Sequence, residues 1–594
     1  MNATKSDPSK NERPARVLFV NPPSLPYSAV KRALDDPKII AHQSVSMPMG
    51  ILYLAAVLEK ELPGIEIRII DYAKAIREFC DSDERYSTDF DSFSEQVLND
   101  LVPADFVPDM VGISTLFSTA HKSTGHIADA IRKRWQEAPI IVGGMHATNS
   151  VEKLLEMPAV NYVCRGEAES IISDLVRCLR KKGDGETVKG IIGPRKFGGG
   201  ASCLESAPLI DDLDEIPFPA WHLIPVDQYT ETEGRAKHLG TIDQDKMGTI
   251  VTTRGCPFSC TFCASWTVHG RKMRYRSVEN VIQELELLYG KYGINCIVPE
   301  DDLFTVKKPR IIELCDAITE RFKRKIYFEF PNGLSVATLD EDVIAAMVRM
   351  GMQVANIAIE SGSHYVQRNI IKKNCSLDRA RRVVQICRDA GVLTRCYFIV
   401  GFPGETREMM QETFDFAASL PSDWNAFSIA APLVGTEMYD QMLERKEIDE
   451  SFNWDNAFYS ERMFDTKEIK AEELKKWVYD SNIRINFFEN TNLQLGRYDR
   501  AKKIFQDILT SYPEHLVAQY CIGIAMMKMG DERGWQDALA KCRKMLDENS
   551  GGLPQKHMDL YPDLLSELVP VNPHPVQKTT MPSEFPRSVK ELRS

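Results

Sequence analysis

The sequence contains no apolar run of the roughly 18 residues that a helix needs to cross a bilayer, so we expect no integral membrane segment. Its first residues, MNATKSDPSKNERPAR, lack the apolar stretch of a secretory signal, and we expect a cytoplasmic protein. Basic residues, 73 Lys and Arg, are fewer than the 85 Asp and Glu. The formal net charge is -12 at pH 7, which argues against nucleic acid or anionic lipid as a partner.

Two motifs are also missing. No GxGxxG follows the first strand-like run, which argues against the alternative that the N-terminal part is a nucleotide-binding Rossmann domain. No second CxxC motif accompanies the one at 260–263, which argues against a structural zinc site. Most of the 14 cysteines stand singly in apolar segments and are expected to be reduced thiols in the core.

With 594 residues the chain is too long for a single hydrophobic core, and we expect about three domains. Residues 1–15 are expected to form a disordered tail. From 16 to 190, short apolar runs alternate with helical patterns, which predicts a Rossmann-like α/β domain with a parallel sheet. Ligands of such sheets bind beyond the carboxyl ends of the strands. The predicted strands are Arg16–Val20, Glu66–Ile70, Met110–Ser114, Pro139–Val142 and Val160–Cys164.

Residues 191–245 show little periodicity and contain several prolines, so we expect a linker there. The strand–helix alternation resumes six times between 246 and 440, which predicts a partial (β/α)6 barrel. Functional residues are expected at the carboxyl ends of its strands. The six predicted strands are Gly248–Thr252, Asn295–Pro299, Ile326–Phe330, Val354–Ile359, Cys396–Val400 and Ala426–Ala430.

The rest of the chain is predicted to be a connecting segment, 441–480, a helical region, 481–548, and a tail, 549–594, whose last part is rich in Pro and Ser. The helical region has the spacing of about two tetratricopeptide-like repeats. The residues in that register are Gly496, Tyr498, Ala501, Phe505 and Pro513.

The strongest motif is Arg254-Gly255-Cys256-Pro257-Phe258-Ser259-Cys260-Thr261-Phe262-Cys263, directly after the first predicted barrel strand. A CxxxCxxC loop can place three thiolates around one face of a 4Fe–4S cluster, which normally takes four. One iron would then lack a protein ligand and could bind a substrate or cofactor. The alternatives are a zinc site, for which His269 is the only nearby histidine, and three thiols with no shared ligand.

At these residues the sequence resembles the radical S-adenosylmethionine (SAM) superfamily. The resemblance implies that Cys256, Cys260 and Cys263 hold a 4Fe–4S cluster and that its open iron binds SAM. It further implies that an electron from the cluster cleaves SAM to a 5′-deoxyadenosyl radical. An electron donor such as flavodoxin or ferredoxin is therefore an expected partner.

Further motifs of that superfamily follow the predicted strands in order: Glu300-Asp301-Asp302, Glu360-Ser361-Gly362-Ser363 and Gly401-Phe402-Pro403-Gly404-Glu405-Thr406. Carboxylates suit the cationic ammonium and sulfonium groups of SAM, and glycine allows the backbone to approach the adenine closely. The resemblance implies SAM contacts at Phe262, Glu300, Asp301, Glu360, Ser361, Gly401, Gly404 and Glu405.

The N-terminal domain resembles the cobalamin-binding domain of class B radical SAM enzymes. The motifs that carry this resemblance are Asn21-Pro22-Pro23-Ser24, Ser114-Thr115-Leu116-Phe117-Ser118, Gly143-Gly144-Met145-His146-Ala147-Thr148 and Arg165-Gly166-Glu167-Ala168-Glu169. The combined resemblance spans about residues 16–440. It implies cobalamin contacts at Pro22, Pro23, Ser114, Thr115, Ser118, Gly143, Gly144, His146 and Glu167.

One motif of other cobalamin enzymes is absent. Mutases and methionine synthase ligate cobalt through the histidine of DxHxxG, whereas the loop after the first strand here reads NPPSLPYS. We therefore expect cobalamin to bind with its lower cobalt face free of histidine. His146 is expected to hold its own loop or to contact the nucleotide tail.

Within this family the chain is similar to the cobalamin-dependent radical methyltransferases and to the anaerobic magnesium-protoporphyrin ester cyclase. We expect methyl transfer to an unactivated carbon of a small molecule whose identity the sequence does not reveal. The first alternative is a non-methylating cyclase or rearrangement enzyme. The second is a non-catalytic cofactor sensor or a repeat-mediated binding protein, and the C-terminal helices remain a candidate site for a protein partner.

Overall fold

The computed structural model describes residues 13–36, 45–81, 86–198, 204–230, 246–454, 457–458, 461–462, 464–549 and 551–568. Its first part is a six-stranded sheet with the order β2-β1-β3-β4-β5-β6. The first five of these strands are parallel, and β6 pairs antiparallel with β5. The strands are β1 (Arg16–Asn21), β2 (Glu66–Asp71), β3 (Met110–Ser114), β4 (Ile140–Gly143), β5 (Tyr162–Cys164) and β6 (Ile191–Ile192).

Ten helices accompany this sheet in the described residues: α1 (Tyr27–Asp35), α2 (Met49–Glu61), α3 (Tyr72–Asp81), α4 (Phe90–Leu101), α5 (His121–Arg134), α6 (Met145–Asn149), α7 (Val151–Leu155), α8 (Ile172–Arg180), α9 (Pro194–Gly198) and α10 (Val226–Thr230). Successive side chains of a strand point to opposite faces. Leu18 and Val20 therefore lie in one core with α3, α4 and α5, while Val17 and Phe19 lie in the other with α2 and α8. Strand β6 extends the sheet past residue 190, into the segment that we expected to be a linker.

The second part is the predicted partial barrel. Its parallel strands form two sheets, β7-β10-β11 and β12-β13-β14-β15, and a parallel bridge between Phe328 and Met352 joins the sheets. A short antiparallel pair, β8 and β9, leads into and out of the cysteine loop. The strands are β7 (Met247–Ile250), β8 (Thr253–Arg254), β9 (Arg274–Tyr275), β10 (Cys296–Pro299), β11 (Tyr327–Phe328), β12 (Leu334–Ser335), β13 (Val354–Glu360), β14 (Leu393–Val400) and β15 (Trp424–Ile429).

The barrel helices begin at local sequence signals. In five of the seven helices described here, a side-chain oxygen of the N-cap residue accepts a backbone N–H of the first turn, which stabilises the start of a helix. These caps are Ser277, Asp340, Ser376, Thr406 and Thr436. The helices are α11 (Trp266–His269), α12 (Val278–Tyr292), α13 (Lys308–Phe322), α14 (Glu341–Met350), α15 (Leu377–Asp389), α16 (Arg407–Ser419) and α17 (Glu437–Glu444).

The C-terminal part is a short hairpin, β16 (Ala457–Phe458) and β17 (Glu461–Arg462), followed by six helices in the described residues. Phe505 is fully buried in the apolar core that these helices share, and Leu565 and Leu568 belong to the same core. Part of the tail that we expected from residue 549 is thus folded. The helices are α18 (Ala471–Ile483), α19 (Thr491–Gln494), α20 (Tyr498–Ser511), α21 (Leu516–Lys528), α22 (Glu532–Glu548) and α23 (Leu553–Leu560).

Two of the C-terminal helices, α19 and α20, contact the barrel at the starting ends of β14 and β15. Asp423, just before β15, forms an ion pair with Arg500 of α20 and accepts a hydrogen bond from Asn492. The second amino group of Arg500 donates to the carbonyl of Val392, just before β14. The cysteine loop follows the finishing end of β7, so α19 and α20 lie at the other end of the parallel barrel. Helix α18 instead packs along β15, and its Leu474 lies against Gly401, just after the finishing end of β14. Among the described residues, no helix combines the length and the apolar character that a membrane span requires.

Candidate active site

Backbone amides of the cysteine loop donate hydrogen bonds that hold the loop in place. Gly255 has φ = +93°, and a Cβ atom there would lie 2.4 Å from the carbonyl oxygen of Lys272, so only glycine fits. The amide of Gly255 donates to Asp302 Oδ2 at 2.9 Å. Further along, the amide of Thr261 donates to the carbonyl of Ile371 at 3.1 Å. Cys256 and Cys260 lie between these two anchors, and Cys263 follows the second anchor by two residues.

The three cysteine thiols of this loop are half-buried and influence one another electrostatically. Burial raises the pKa of Cys256, and it raises the pKa of Cys260 to about 11. In the residues that the structure describes, no three His, Cys, Asp or Glu side chains converge as the ligands of a single metal ion do. The thiolates of a 4Fe–4S cluster each bind a separate iron. Three neighbouring thiols on one loop that do not meet at a single point fit that group.

The three acidic residues of the motif after β10 make different contacts. Asp301 is buried and accepts hydrogen bonds from the amide and the hydroxyl of Thr252, both at 2.6 Å. Asp302 supports the cysteine loop through Gly255, as described above. Of the two predicted SAM contacts in this motif, only Glu300 has an exposed carboxylate, and it accepts from Asn332 at 2.9 Å. Asp301 instead ties the end of β10 to the end of β7.

Glu360, the last residue of β13, has φ = +72°, a strained conformation for a residue other than glycine. Its carboxylate pairs with Lys373 at 2.8 Å, and both side chains are almost buried. Burial opposes the charge of Lys373, but Glu360 and Cys260 outweigh it and the pKa of Lys373 is raised. Sequence reasoning missed Lys373, because nothing in its spacing distinguishes it from a lysine in an ordinary loop.

Two other predicted SAM contacts hold loops in place. The hydroxyl of Ser361 is buried, lies 3.0 Å from that of Thr413 and accepts the amide of Ser363. Glu405 is fully buried and accepts the amides of Gly401 and Phe402 at 2.6 and 3.0 Å. Burial raises the pKa of Glu405 to about 8. These side chains shape the turns after β13 and β14.

An aromatic contact joins the cysteine loop to the glycine-rich turn. The ring centroids of Phe262 and Phe402 are 5.8 Å apart. Gly401 and Gly404 both have positive φ, at +83° and +85°. This turn therefore lies beside the cysteine loop, as contacts to one shared cofactor would require.

The predicted cobalamin contacts lie at the finishing ends of β1, β3, β4 and β5. Gly144 has φ = +104°, and a Cβ atom there would lie 2.5 Å from the carbonyl oxygen of Thr115. The Thr115 hydroxyl is buried and contacts that of Thr124 at 2.9 Å, and the prolines Pro22 and Pro23 are buried as well. Ser114 and Gly143 are partly exposed at the same edge.

The structure adds two apolar residues to this edge. Leu116 and Phe117, directly after β3, are 51% and 40% exposed. Large apolar side chains side by side at a ligand-binding edge suit the flat face of a corrin ring. Both residues belong to the motif at 114–118, but the sequence did not show that their side chains are exposed.

His146 holds its own loop, one of the two roles that we expected for it. Its Nδ1 lies 3.1 Å from the Ser118 hydroxyl and its Nε2 lies 3.0 Å from Nδ1 of His121. The ring also contacts the edge of Trp454, with centroids 5.2 Å apart. Burial lowers the pKa of His146 to about 3, so the ring is neutral. Both of its nitrogens are engaged with neighbouring side chains.

We therefore expect the cobalt(II) form of the reconstituted protein to show no nitrogen hyperfine splitting from an axial ligand in its paramagnetic resonance spectrum. His146→Ala should leave that spectrum unchanged, because neither nitrogen is free to reach a metal. A nitrogen triplet in the parent protein that disappears in His146→Ala would contradict this prediction.

The structure gives Glu167 a different role from the expected cobalamin contact. Its carboxylate is buried and accepts Arg254 Nη1 at 3.0 Å and Arg274 Nη1 at 2.9 Å. His269 Nδ1 lies 2.7 Å away, on the other oxygen. Hydrogen bonds from His269 and Arg274 overcome the effect of burial and lower the pKa of Glu167 far below its usual range. Both carboxylate oxygens of Glu167 are therefore hydrogen-bonded to side chains of the barrel.

These contacts bring the two sets of strand ends together. The side-chain amide of Asn149, in the helix after β4, donates to the Thr267 hydroxyl at 2.9 Å, just after the cysteine loop. The same side chain lies against Gly435, after β15. The predicted SAM edge and the predicted cobalamin edge therefore face one another.

Comparisons with known proteins agree with this arrangement. The Radical SAM superfamily model matches residues 250–417, and the B12 binding domain model matches residues 40–176. An uncharacterized methyltransferase of Pyrococcus horikoshii is 30% identical over 464 residues, which are 78% of this chain and 90% of the relative. The cytidylyl-2-hydroxyethylphosphonate methyltransferase of Streptomyces wedmorensis is 28% identical over 512 residues, which are 80% of this chain and 91% of the relative.

Among solved structures, the cobalamin-dependent S-adenosylmethionine radical enzyme OxsB, with aqua-cobalamin and S-adenosylmethionine bound, superposes with a TM-score of 0.59. The superposition covers 94% of this chain and 81% of that chain, at 17% identity, and shows the shared fold. The two matching domain models and the 30% identical relative settle the family. The chain belongs to the cobalamin-dependent radical SAM enzymes, whose cofactors are a 4Fe–4S cluster, SAM and cobalamin.

Proposed function

We propose that this enzyme transfers a methyl group to an unactivated carbon of a small molecule. The observation that carries the proposal is the length of the match: two methyltransferases are each covered over about nine-tenths of their own sequences. When bound, the cofactors supply a reactive radical and a transferable methyl group, while the protein supplies binding, orientation and exclusion of water.

The site residues fall into two groups in this proposal. Residues that lie between the two facing sets of strand ends would bind the cofactors. Cys256, Cys260 and Cys263 would hold the cluster, Glu300, Glu360 and Lys373 would bind the charged end of SAM, and Phe262, Gly401 and Gly404 would contact its adenine. Buried side chains would hold the binding loops in shape: Asp301, Ser361, Glu405, Thr115, Ser118 and His146. The cobalamin face would use Ser114, Leu116, Phe117, Gly143 and Gly144.

The remaining assignments are proposals of the same kind. We retain a cobalamin-binding domain, a radical SAM barrel and a helical region as the domain division, with 16–198, 246–444 and 471–568 as revised boundaries. The helices α20, α21 and α22 would form tetratricopeptide-like repeats, and Gly523 of α21 supports this because a Cβ atom there would lie 2.6 Å from the ring of Trp535. A flavodoxin or ferredoxin would supply the electron, and the C-terminal helices would be the surface for any protein partner.

Anaerobic turnover with a cell extract and SAM labelled in its methyl group tests the function. We expect a small-molecule product that carries the label and that requires added cobalamin. A product that forms with cobalamin but without the label would contradict methyl transfer and support the cyclase or rearrangement alternative. Omitting the reductant is the control, since radical formation needs an electron.

A further inference from the structure

Five buried or half-buried ionisable side chains join the first sheet to the barrel. We call this set the ion joint: Glu167, Glu169, Arg254, His269 and Arg274. The two carboxylates belong to the loop after β5, and the two arginines and the histidine belong to the barrel. The set therefore lies across the boundary between the two cofactor-binding domains.

Each arginine of the ion joint binds its carboxylates through specific terminal nitrogens. Arg254 divides its two terminal nitrogens between the carboxylates, Nη1 to Glu167 at 3.0 Å and Nη2 to Glu169 at 2.6 Å. Arg274 places both terminal nitrogens on Glu167. Nη1 of Arg274 also donates to the carbonyl of Ile210 at 2.7 Å. The four members of the ion joint other than His269 are each less than 9% exposed.

The ion joint is attached directly to both cofactor loops. Arg254 lies two residues before Cys256, and His269 lies six residues after Cys263. Arg254 and Arg274 are cross-strand partners in β8 and β9, the pair that frames the cysteine loop. On the other side, the carboxylates lie in the strand-end loop of the cobalamin-binding sheet, and the guanidinium of Arg254 is 5.4 Å from the ring centroid of Tyr53 in α2.

A buried ion group is a weak source of net stability, because removing the charges from water costs about as much as their attraction returns. What such a group supplies is geometry, since a planar guanidinium binds carboxylates in fixed directions. Catalysis by two cofactors on one substrate needs them at a defined separation, and small misplacements cost large factors in rate.

We propose that the ion joint is a positioning element that sets the distance and orientation between the iron–sulfur loop and the bound cobalamin. Arg254, Glu169 and Arg274 are positioning residues in this view and act through the loops that they join. The proposal rests on the two cofactors of the family and not on the identity of the methyl acceptor.

The test uses the full chain, reconstituted anaerobically with iron, sulfide and cobalamin. In Glu169→Gln we expect iron and cobalamin contents equal to those of the parent protein. We also expect a loss of the enhancement that the reduced cluster produces in the spin relaxation of cobalt(II), measured by pulsed paramagnetic resonance. That enhancement depends steeply on the separation of the two centres, so it reports the geometry without any substrate.

Arg254→Lys is the second variant. Lysine keeps the positive charge, but its single ammonium cannot reproduce the planar fork across both carboxylates, so we expect the same loss of relaxation enhancement. Glu186→Gln is the matched control. Its carboxylate is equally buried and is paired with Arg195, but both residues belong to the first domain, so the enhancement should stay at the parent value.

Unchanged relaxation enhancement in both joint variants would overturn the proposal, because the spacing would then be set elsewhere. Loss of bound cobalamin in Glu169→Gln but not in the control would also overturn it, since the residue would then be holding the cofactor. Product formation is not part of the measurement, so failure of the proposed methyl transfer would be recognised separately, by the labelling experiment.

Discussion

Replacing Cys256, Cys260 and Cys263 by alanine together is expected to remove the iron and the absorbance near 400 nm from anaerobically reconstituted protein and to abolish SAM cleavage. The three thiols occupy one loop whose backbone is fixed by Gly255 and Thr261, so the substitution removes the ligands and leaves their support. Iron analysis, the absorption spectrum and the yield of 5′-deoxyadenosine are the measurements.

The matched control replaces Cys80 and Cys178, which are partly exposed but far along the chain from the motif. Iron content and SAM cleavage should remain at the parent level in this double variant. Full iron content in the triple variant would contradict the assignment of the cluster to this loop. Equal losses in the triple variant and the control would show that the effect is not specific to the loop.

Phe505→Ala is expected to destabilise the C-terminal helices by about 3–5 kcal/mol, the usual cost of truncating a buried phenylalanine. The ring is fully buried and stacks on Phe487 with centroids 5.6 Å apart, at an angle of 15°. Phe487 follows α18, which packs along the barrel, so the pair joins the repeats to the catalytic body. Urea unfolding followed by limited proteolysis would measure the change.

Tyr512→Ala is the control, because this aromatic residue directly follows α20 and is 58% exposed. It should unfold with the parent midpoint. Cluster content should be unchanged in both variants, since α20 contacts the starting ends of β14 and β15 and the cysteine loop follows the finishing end of β7. A Phe505→Ala protein as stable as Tyr512→Ala would contradict the proposed packing.

The position of these helices narrows their role. The ion pair between Asp423 and Arg500 shows that α20 docks on the barrel. Because α19 and α20 lie at the opposite end of the barrel from the cysteine loop, a direct contact of these two helices with substrate at that loop is not supported. A surface for a protein partner remains the role proposed for them.

Local signals in the sequence predicted the five parallel strands of the first sheet and six of the seven parallel strands of the barrel. Apolar runs located β1, β10 and β13, and the capping residues Ser277 and Asp340 mark helix starts that periodicity had already predicted. Helix α23 and several two-residue strands, among them β6, β8, β9 and β12, were missed. A two-residue strand has no periodicity of its own and is defined only by the partner with which it pairs.

The site residues, like the secondary structure, were only partly predictable from the sequence. Motif spacing identified the loops after β7, β10, β13 and β14, and the structure brings those loops to one edge of the barrel. Motif spacing could not identify which side chain in each loop points toward the facing cobalamin edge and which points into the protein. Asp301 and Glu405 turned inward to hold backbone amides, while Lys373 and Phe117, which were not predicted, lie at the site edges.

The sequence by itself determined the family, the three cofactors and the loops that approach them, because these depend on residue type and on spacing along the chain. The tertiary structure alone decided how the two domains are joined. Glu167 and Arg254 are 87 residues apart and belong to different domains, so no local pattern could pair them. Their contact exists because the folding of two separate sheets brings the two loops together, where the buried charges need one another as partners.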